Sequence, residues 1–208
     1  MNQIAKYSGD SMASRARLRR MVELNRRFPE IAEMEVVDLG GTCAFWLNAM
    51  TRPKHVTVVN LQPEPPPADW ISVVNADACT YRGTRADLVV SNSLIEHVGG
   101  HARREQLAEV IGSLSSNYWV QTPYRYFPIE PHWLFPGFQF LPLWAQTEVA
   151  LRWKRGHITA NTRQEARHEA MWVELLTVSE MESLFPKAEI WRERFGGLTK
   201  SLVAVSTG

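Results

Sequence analysis

Glu130 and His132 stand two residues apart in the stretch Thr122-Pro123-Tyr124-Arg125-Tyr126-Phe127-Pro128-Ile129-Glu130-Pro131-His132-Trp133, which three prolines stiffen. An imidazole beside a carboxylate is the pairing that takes a proton from a hydroxyl, with the acid orienting the ring or stabilising its charge. Tyr124, Tyr126, Phe127 and Trp133 flank the pair. Aromatic faces with a few polar groups suit a sugar ring or a small polar aromatic. The competing reading is a structural loop in which both side chains bond backbone, and the spacing alone leaves the two even. Glu96-His97 is a second acid–imidazole pair, able to supply a base or simply to shape a pocket. His101, His157 and His168 have no such neighbours. Glu96, His97, Glu130 and His132 together offer the oxygen and imidazole donors that divalent ions accept. No H-E-x-x-H or paired C-x-x-C accompanies them, so no metal is expected.

The other chemical signal is Val36-Val37-Asp38-Leu39-Gly40-Gly41-Thr42. A hydrophobic strand ends there at an acid, and adjacent glycines let backbone lie close to a ligand. The G-x-G-x-x-G of a pyrophosphate cradle is missing, because Thr42 and Cys43 follow the glycines. The turn therefore suits a ligand without phosphates.

These residues need elements to hold them. Strand-like runs fall at Val36–Leu39, His55–Asn60, Ile71–Val74, Ala86–Val90 and Tyr118–Gln121, with a helix over His101–Leu114. Apolar strands alternating with helices predict an α/β fold whose sheet is mostly parallel and covered on both faces. Ala188–Arg194 and Thr199–Val205 flank Gly196-Gly197 and predict a terminal antiparallel hairpin. From Ser11 to Arg27, Met12, Leu18, Met21, Val22 and Leu24 recur at helical spacing. Arg15, Arg17, Arg19, Arg20, Arg26 and Arg27 make that helix basic, a solvated face before it is an anion reader. Pro123 to about Pro142 has no clean period and follows a strand, where binding loops sit in open α/β sheets. Leu143–Arg167 reads as helical and basic: a lid, a dimer contact or an anion-reading surface, so a homodimer stays open. The domain reading is one domain over residues 1–208, with a helical cap at 1–33 and a substrate-binding insertion at 123–170.

With the elements in order, Asp38-Leu39-Gly40-Gly41-Thr42 resembles the first motif of the class I S-adenosylmethionine (SAM)-dependent methyltransferases, Thr42 standing where glycine is commoner. Ala76-Asp77-Ala78 resembles the motif whose acid meets adenine, and Ala86–Val98 resembles the fourth motif with its Asn-Ser-x-x-Glu-His-Val continuation. The resemblance runs over residues 34–122 and is shared with small bacterial members, some of which modify sugars. It implies a Rossmann-like fold, SAM as cofactor and S-adenosylhomocysteine (SAH) as product. It places the methionine tail near Asp38, Gly40, Gly41 and Thr42, adenine near Asp77 and Ala78, and the methionyl part near Asn92 and Ser93. In the family the second strand ends in an acid that holds both ribose hydroxyls; here Asn60 stands there. An amide accepts one bond and donates another without the charge, so Asn60 keeps the ribose role more weakly, or Leu61-Gln62 share it. His132, Glu130 and His97 become the catalytic candidates, and Tyr124, Tyr126, Trp133 and Glu96 the acceptor-binding ones.

The expected activity is methylation of a hydroxyl on a small molecule, a sugar or other hydroxylated metabolite. The alternatives are C-methylation of a quinone, lipid or polyketide-type acceptor, and a SAM-binding regulator without catalysis. Composition narrows the partners. A net charge of +1 from 23 basic and 22 acidic residues gives no field for nucleic acid. The Asn/Asp-Pro-Pro-Tyr of base methylation is missing after the fourth strand, where Ser91-Asn92-Ser93-Leu94 stands. No apolar run spans a membrane and no signal-like stretch opens the chain. Two cysteines, Cys43 and Cys79, fit a reducing cytoplasm. Eight tryptophans, several between Trp119 and Trp172, point to an aromatic pocket or to core filling.

Overall fold

A computed structural model describes residues 12–156, 158 and 160–208, and the side chains of residues 12–15 lie outside it. Ser11, His157 and the side chains of Met12 and Arg15 thus fall outside the described residues. Five parallel-type strands arise where apolar runs meet turns: β1 (Glu35–Leu39), β2 (His55–Asn60), β3 (Ile71–Asn75), β4 (Leu88–Asn92) and β5 (Asn117–Pro123). β1 pairs parallel with β2, Val36 to Val56 through Leu39 to Val59, and with β4, Val36 to Leu88 through Asp38 to Val90. β2 pairs parallel with β3 up to Asn60 opposite Asn75. β8 (Glu189–Phe195) and β9 (Leu198–Thr207) complete a seven-stranded sheet of order β3-β2-β1-β4-β5-β9-β8. Gly196 and Gly197 turn the terminal hairpin at φ 56° and 82°, where a Cβ is strained. Mostly parallel with a hairpin end, this is the α/β architecture expected.

Among the described residues the longer helices are α1 (Met12–Arg27), α3 (Gly100–Leu114), α4 (Leu143–Arg152), α5 (Arg163–Trp172) and α6 (Val178–Leu184), with the short α2 (Cys43–Leu47) after the glycine turn. In α1, Met21 and Leu24 are buried while Val22 is exposed, so Val22 does not belong to the packed face. Glu23 holds Arg26 at 2.6 Å and Arg27 at 2.9 Å, and Arg26 first among these cations pulls its carboxyl down to about 2.

The chain forms two compact units. The first comprises the described part of Met1–Asn92 with Gln106–Val120 and Val205–Gly208; the second comprises Ser93–Glu105 and Gln121–Ala204. In the first, Val36, Val37, Leu39, Val56, Val58, Val59, Leu88, Val89 and Val90 are buried from both faces of the strands, the signature of a covered parallel sheet. In the second, Trp133, Phe138, Ala150, Ala160, Ala166 and Ala170 form a separate core. The tryptophans divide accordingly: Trp119 and Trp133 are core, whereas Trp144 and Trp172 stand exposed.

The expected helix over Leu143–Arg167 is interrupted after Arg152, because Trp153 and Gly156 are needed elsewhere. The Trp153 indole donates to Trp133 O at 2.9 Å. A Cβ on Gly156 would fall 2.7 Å from both His132 O and Trp133 Cα, so backbone packs on backbone there. A new helix then starts at a capping box, Thr162 accepting from the Glu165 N–H while Glu165 reaches back to Thr162. A second box, Thr177 with Glu180, opens α6, which the periodicity had not marked.

Candidate functional site

In the first unit the strand ends converge on one glycine. β1 delivers Asp38 fully buried, and α2 brings Trp46 over it so that the indole N–H donates to Asp38 Oδ2 at 2.7 Å. Burial raises the Asp38 carboxyl to about 7, against the lowering effect of that bond. Its Oδ1 is buried with no hydrogen-bond partner. Gly40 turns at φ 76° and donates to Val59 O at 2.8 Å. Gly41 follows, and a Cβ there would lie 1.7 Å from Asp38 Oδ2, so only glycine fits. Asn60 donates from Nδ2 to Gly41 O at 2.9 Å and accepts the Gln62 N–H at 3.0 Å.

Of the remaining residues of this half, Asp77 and Asn92 have partners of their own. Thr42 is the exposed N-cap of α2 without a side-chain cap bond, and Leu61 is 68% exposed. Asp77 Oδ1 accepts the Cys79 N–H at 3.0 Å in a turn that buries Ala78. Asn92 Oδ1 accepts from the Trp119 indole at 3.2 Å. Asp38 packs against Gly41 and Asn60 bonds to it, so these residues meet at the glycine turn, while Asp77 stands in its own turn and Asn92 at the end of β4. Trp46 was not singled out by motif; its position eight residues after Asp38 carried no signal. Replacing Trp46 by phenylalanine strips the buried acid of its donor, and urea unfolding should show a loss of about 1–3 kcal/mol.

In the second unit a two-strand ribbon, β6 (Ile129–Glu130) with β7 (Phe135–Pro136), holds the Pro-rich loop. Glu130 is buried, with Oε2 accepting the Trp133 N–H at 2.7 Å and Oε1 2.6 Å from His132 Nδ1. Since a carboxylate only accepts, Nδ1 carries the proton, and in the neutral ring Nε2 keeps its lone pair. Burial pushes His132 down, but the hydrogen bond and charge of Glu130, with the charge of Glu96, outweigh it and hold the ring above the ordinary histidine value. His97 lies edge-on to His132 with ring centroids 4.9 Å apart. Burial and then the charge of His132 push His97 down to about 4 against the pull of Glu130, and its Nδ1 is buried with no partner. Glu96 is buried, its Oε2 accepting from the Thr122 hydroxyl at 3.0 Å and its carbonyl from the Glu174 N–H at 2.9 Å. Glu96, His97 and His132 bring one ligand atom each within 4.8 Å of one another. Ser93, at φ 52°, donates to Gln121 through backbone and side chain.

The aromatic residues of the loop separate. Trp133 is buried and stacked on Phe138 at 5.0 Å, whereas exposed Tyr126 stacks on Phe140 at 6.0 Å and meets Tyr124 edge-on at 5.6 Å. A cavity of about 340 Å³ within the second unit has Glu130, Trp133, Phe138, Arg104, Arg125 and Gln139 in its wall. Arg104 is buried and paired with Glu174 at 2.6 Å. Gln139 ties the loop by donating to Arg125 O and Phe127 O at 2.9 and 2.8 Å. Neither Arg104 nor Gln139 was singled out, because their partners lie 70 and 12 to 14 residues away in sequence. His101 pairs with Glu105 on the surface and His168 stacks on Trp172.

No protein-family model matches the chain, and no curated protein matches its sequence. Solved structures do match its fold. The 1,6-didemethyltoxoflavin-N1-methyltransferase of Burkholderia thailandensis, with 1,6-didemethyltoxoflavin and SAH bound, gives a TM-score of 0.56 at 16% identity, covering 93% of this chain and 79% of that one. Magnesium protoporphyrin IX methyltransferase (ChlM) from Synechocystis PCC 6803, with SAH bound, gives 0.56 at 10% identity over 99% and 93%. The N-terminal domain of EvdMO1 in the presence of SAH and D-fucose gives 0.55 at 15% identity over 95% and 84%. The chain has the Rossmann-like fold of class I SAM-dependent methyltransferases.

Proposed function

We propose that this protein is a SAM-dependent methyltransferase acting on a hydroxyl of a small molecule, a sugar or other hydroxylated metabolite. The first unit fits the cofactor: Gly41 leaves no room for a side chain against Asp38, and the buried Asp38 Oδ1 is an acceptor waiting for a donor. SAM supplies a methyl group already activated by its sulfonium. Asp38, Gly40, Gly41 and Thr42 hold its tail, Asp77 and Ala78 its adenine, and Asn92 and Ser93 line the methionyl path, while Asn60, Leu61 and Gln62 sit where the ribose ends. Among the structural neighbours, one was solved in the presence of SAH and D-fucose, which supports a sugar-like acceptor.

One observation carries the hydroxyl reading: a buried Glu130, fixed by the Trp133 N–H, grips His132 Nδ1 and leaves Nε2 as the base. His132 Nε2 takes the hydroxyl proton as the acceptor oxygen is methylated; SAM, when bound, would supply the methyl and leave as SAH. The Glu130 carboxylate stabilises the imidazolium until solvent removes its proton. Tyr124, Tyr126 and Trp133 are assigned to the acceptor ring, Glu96 to its polar edge, and His97, neutral at working pH, to shaping the pocket beside His132. Purified protein incubated with methyl-labelled SAM and a panel of sugars and hydroxylated metabolites should release SAH and label an oxygen. Labelled carbon would instead support C-methylation, and tight SAH binding without turnover on any acceptor would support a regulator.

A second reading has its own observation, the Glu96–His97–His132 cluster within 4.8 Å. Two imidazoles and a carboxylate suit a divalent cation that would stabilise the alkoxide directly, with Glu130 orienting His132 from behind. Activity unaffected by a chelator is expected if His132 is the base. Activity lost to a chelator and restored by a divalent ion would transfer the role to a cation.

A further inference from the structure

We infer that Asn60 is a positioning residue for the glycine turn, and that it replaces the acid expected at this strand end because the turn needs a donor there. The inference rests on the cofactor placement proposed above. The main chain alone fixes only the first half of the turn, through the Gly40 N–H on Val59 O at 2.8 Å. The next carbonyl, that of Gly41, takes its hydrogen bond from Asn60 Nδ2 at 2.9 Å. The amide cannot be reversed, because Asn60 Oδ1 is occupied in accepting the Gln62 N–H at 3.0 Å. Asn60 itself is anchored at the end of β2, in register with Asn75 and accepting the Ala76 N–H at 3.3 Å on its carbonyl.

The other side of Gly41 is closed by Asp38, whose carboxylate occupies the space a Cβ would need and is held by Trp46 at 2.7 Å. Gly41 is thus clamped between an amide that donates and a carboxylate that fills. A carboxylate at position 60 has no proton to give the Gly41 carbonyl. It would set one oxygen against another and place a second negative charge on the same glycine, opposite Asp38. An ionised acid at this position loses the bond that Asn60 gives the turn.

The test turns on a substitution that the family pattern would call an improvement. Asn60→Asp restores the ribose-binding acid, so a ribose role predicts tighter binding of SAH and of methylthioadenosine, which keeps the ribose and lacks the amino-acid tail. A positioning role predicts the reverse for the tailed ligand: SAH affinity falls by about tenfold or more, while methylthioadenosine changes by less than about threefold. Asn60→Ala, which removes the donor without adding charge, should show the same tail-dependent loss. Thermal unfolding of each variant confirms that a folded chain was titrated. SAH bound equally well or better by Asn60→Asp, or equal losses for both ligands, would overturn the inference. Failure of the native chain to bind either ligand would instead overturn the cofactor reading beneath it.

Discussion

Replacing His132 by glutamine is expected to lower turnover by about a hundredfold or more while SAH affinity stays at its native value, since His132 and the glycine turn belong to different units. Glutamine keeps the size and some polarity of imidazole but cannot hold the proton. The pH profile supplies the sharper check. A base works unprotonated, so the rate rises with pH through the His132 pKa, which Glu130 and Glu96 hold above the usual 6.5 despite burial. Glu130→Gln removes the strongest raising influence and leaves burial, which lowers. Its rising limb should move to lower pH even as the maximal rate falls. A limb that stays in place in Glu130→Gln would show that another group sets it.

Gly41→Ala should do comparable damage in the other half of the molecule. The added carbon would lie 1.7 Å from Asp38 Oδ2 and 2.1 Å from its Cγ, so either the Trp46–Asp38 bond or the Asn60–Gly41 bond must break. Overpacking of this kind costs about 1–3 kcal/mol of stability. Because the displaced atoms are those assigned to the ligand's tail, SAH affinity should fall by about tenfold to a hundredfold. Gly112→Ala is the control. It sits inside α3 with nothing within 4 Å of the new carbon, and alanine there should be neutral or add about 0.5–1 kcal/mol. Equal melting temperatures and equal SAH titrations for the two variants would contradict the clamp.

What was legible in the sequence is what local chemistry decides. β2 was bounded correctly at His55–Asn60 because a turn follows a run of branched residues, and the terminal hairpin was legible, with strand ends one or two residues off, because two glycines separate two runs. Glu130 and His132 were readable as a pair because they stand two residues apart in a short proline-held stretch, and the turn that follows β6 folds the ring back onto the acid. Contacts made across the sequence were not readable. Nothing local announces that His97 meets His132 from 35 positions away, or that Arg104 is buried against Glu174. The break after Arg152 followed from Gly156 lying on the His132–Trp133 backbone, a tertiary demand that helical periodicity does not register. The capping boxes at Thr162 and Thr177 were the local signal that could have found α5 and α6. Asn60 could be seen to depart from the acid, but its reason, the Gly41 carbonyl, exists only once β1 and β2 lie side by side.

Asp38 carries a consequence for the solution behaviour of the protein. Sealed from water and poised to ionise near pH 7, it is a proton reservoir beside the place assigned to a positively charged guest. An incoming cation favours the ionised acid, so capture expels a proton to the buffer and tightens as the medium becomes more alkaline through neutrality. The spent guest gives up its charge at sulfur and keeps the ammonium of its tail, so the same acid meets both forms. Acidification through neutrality therefore loosens the hold on donor and product alike.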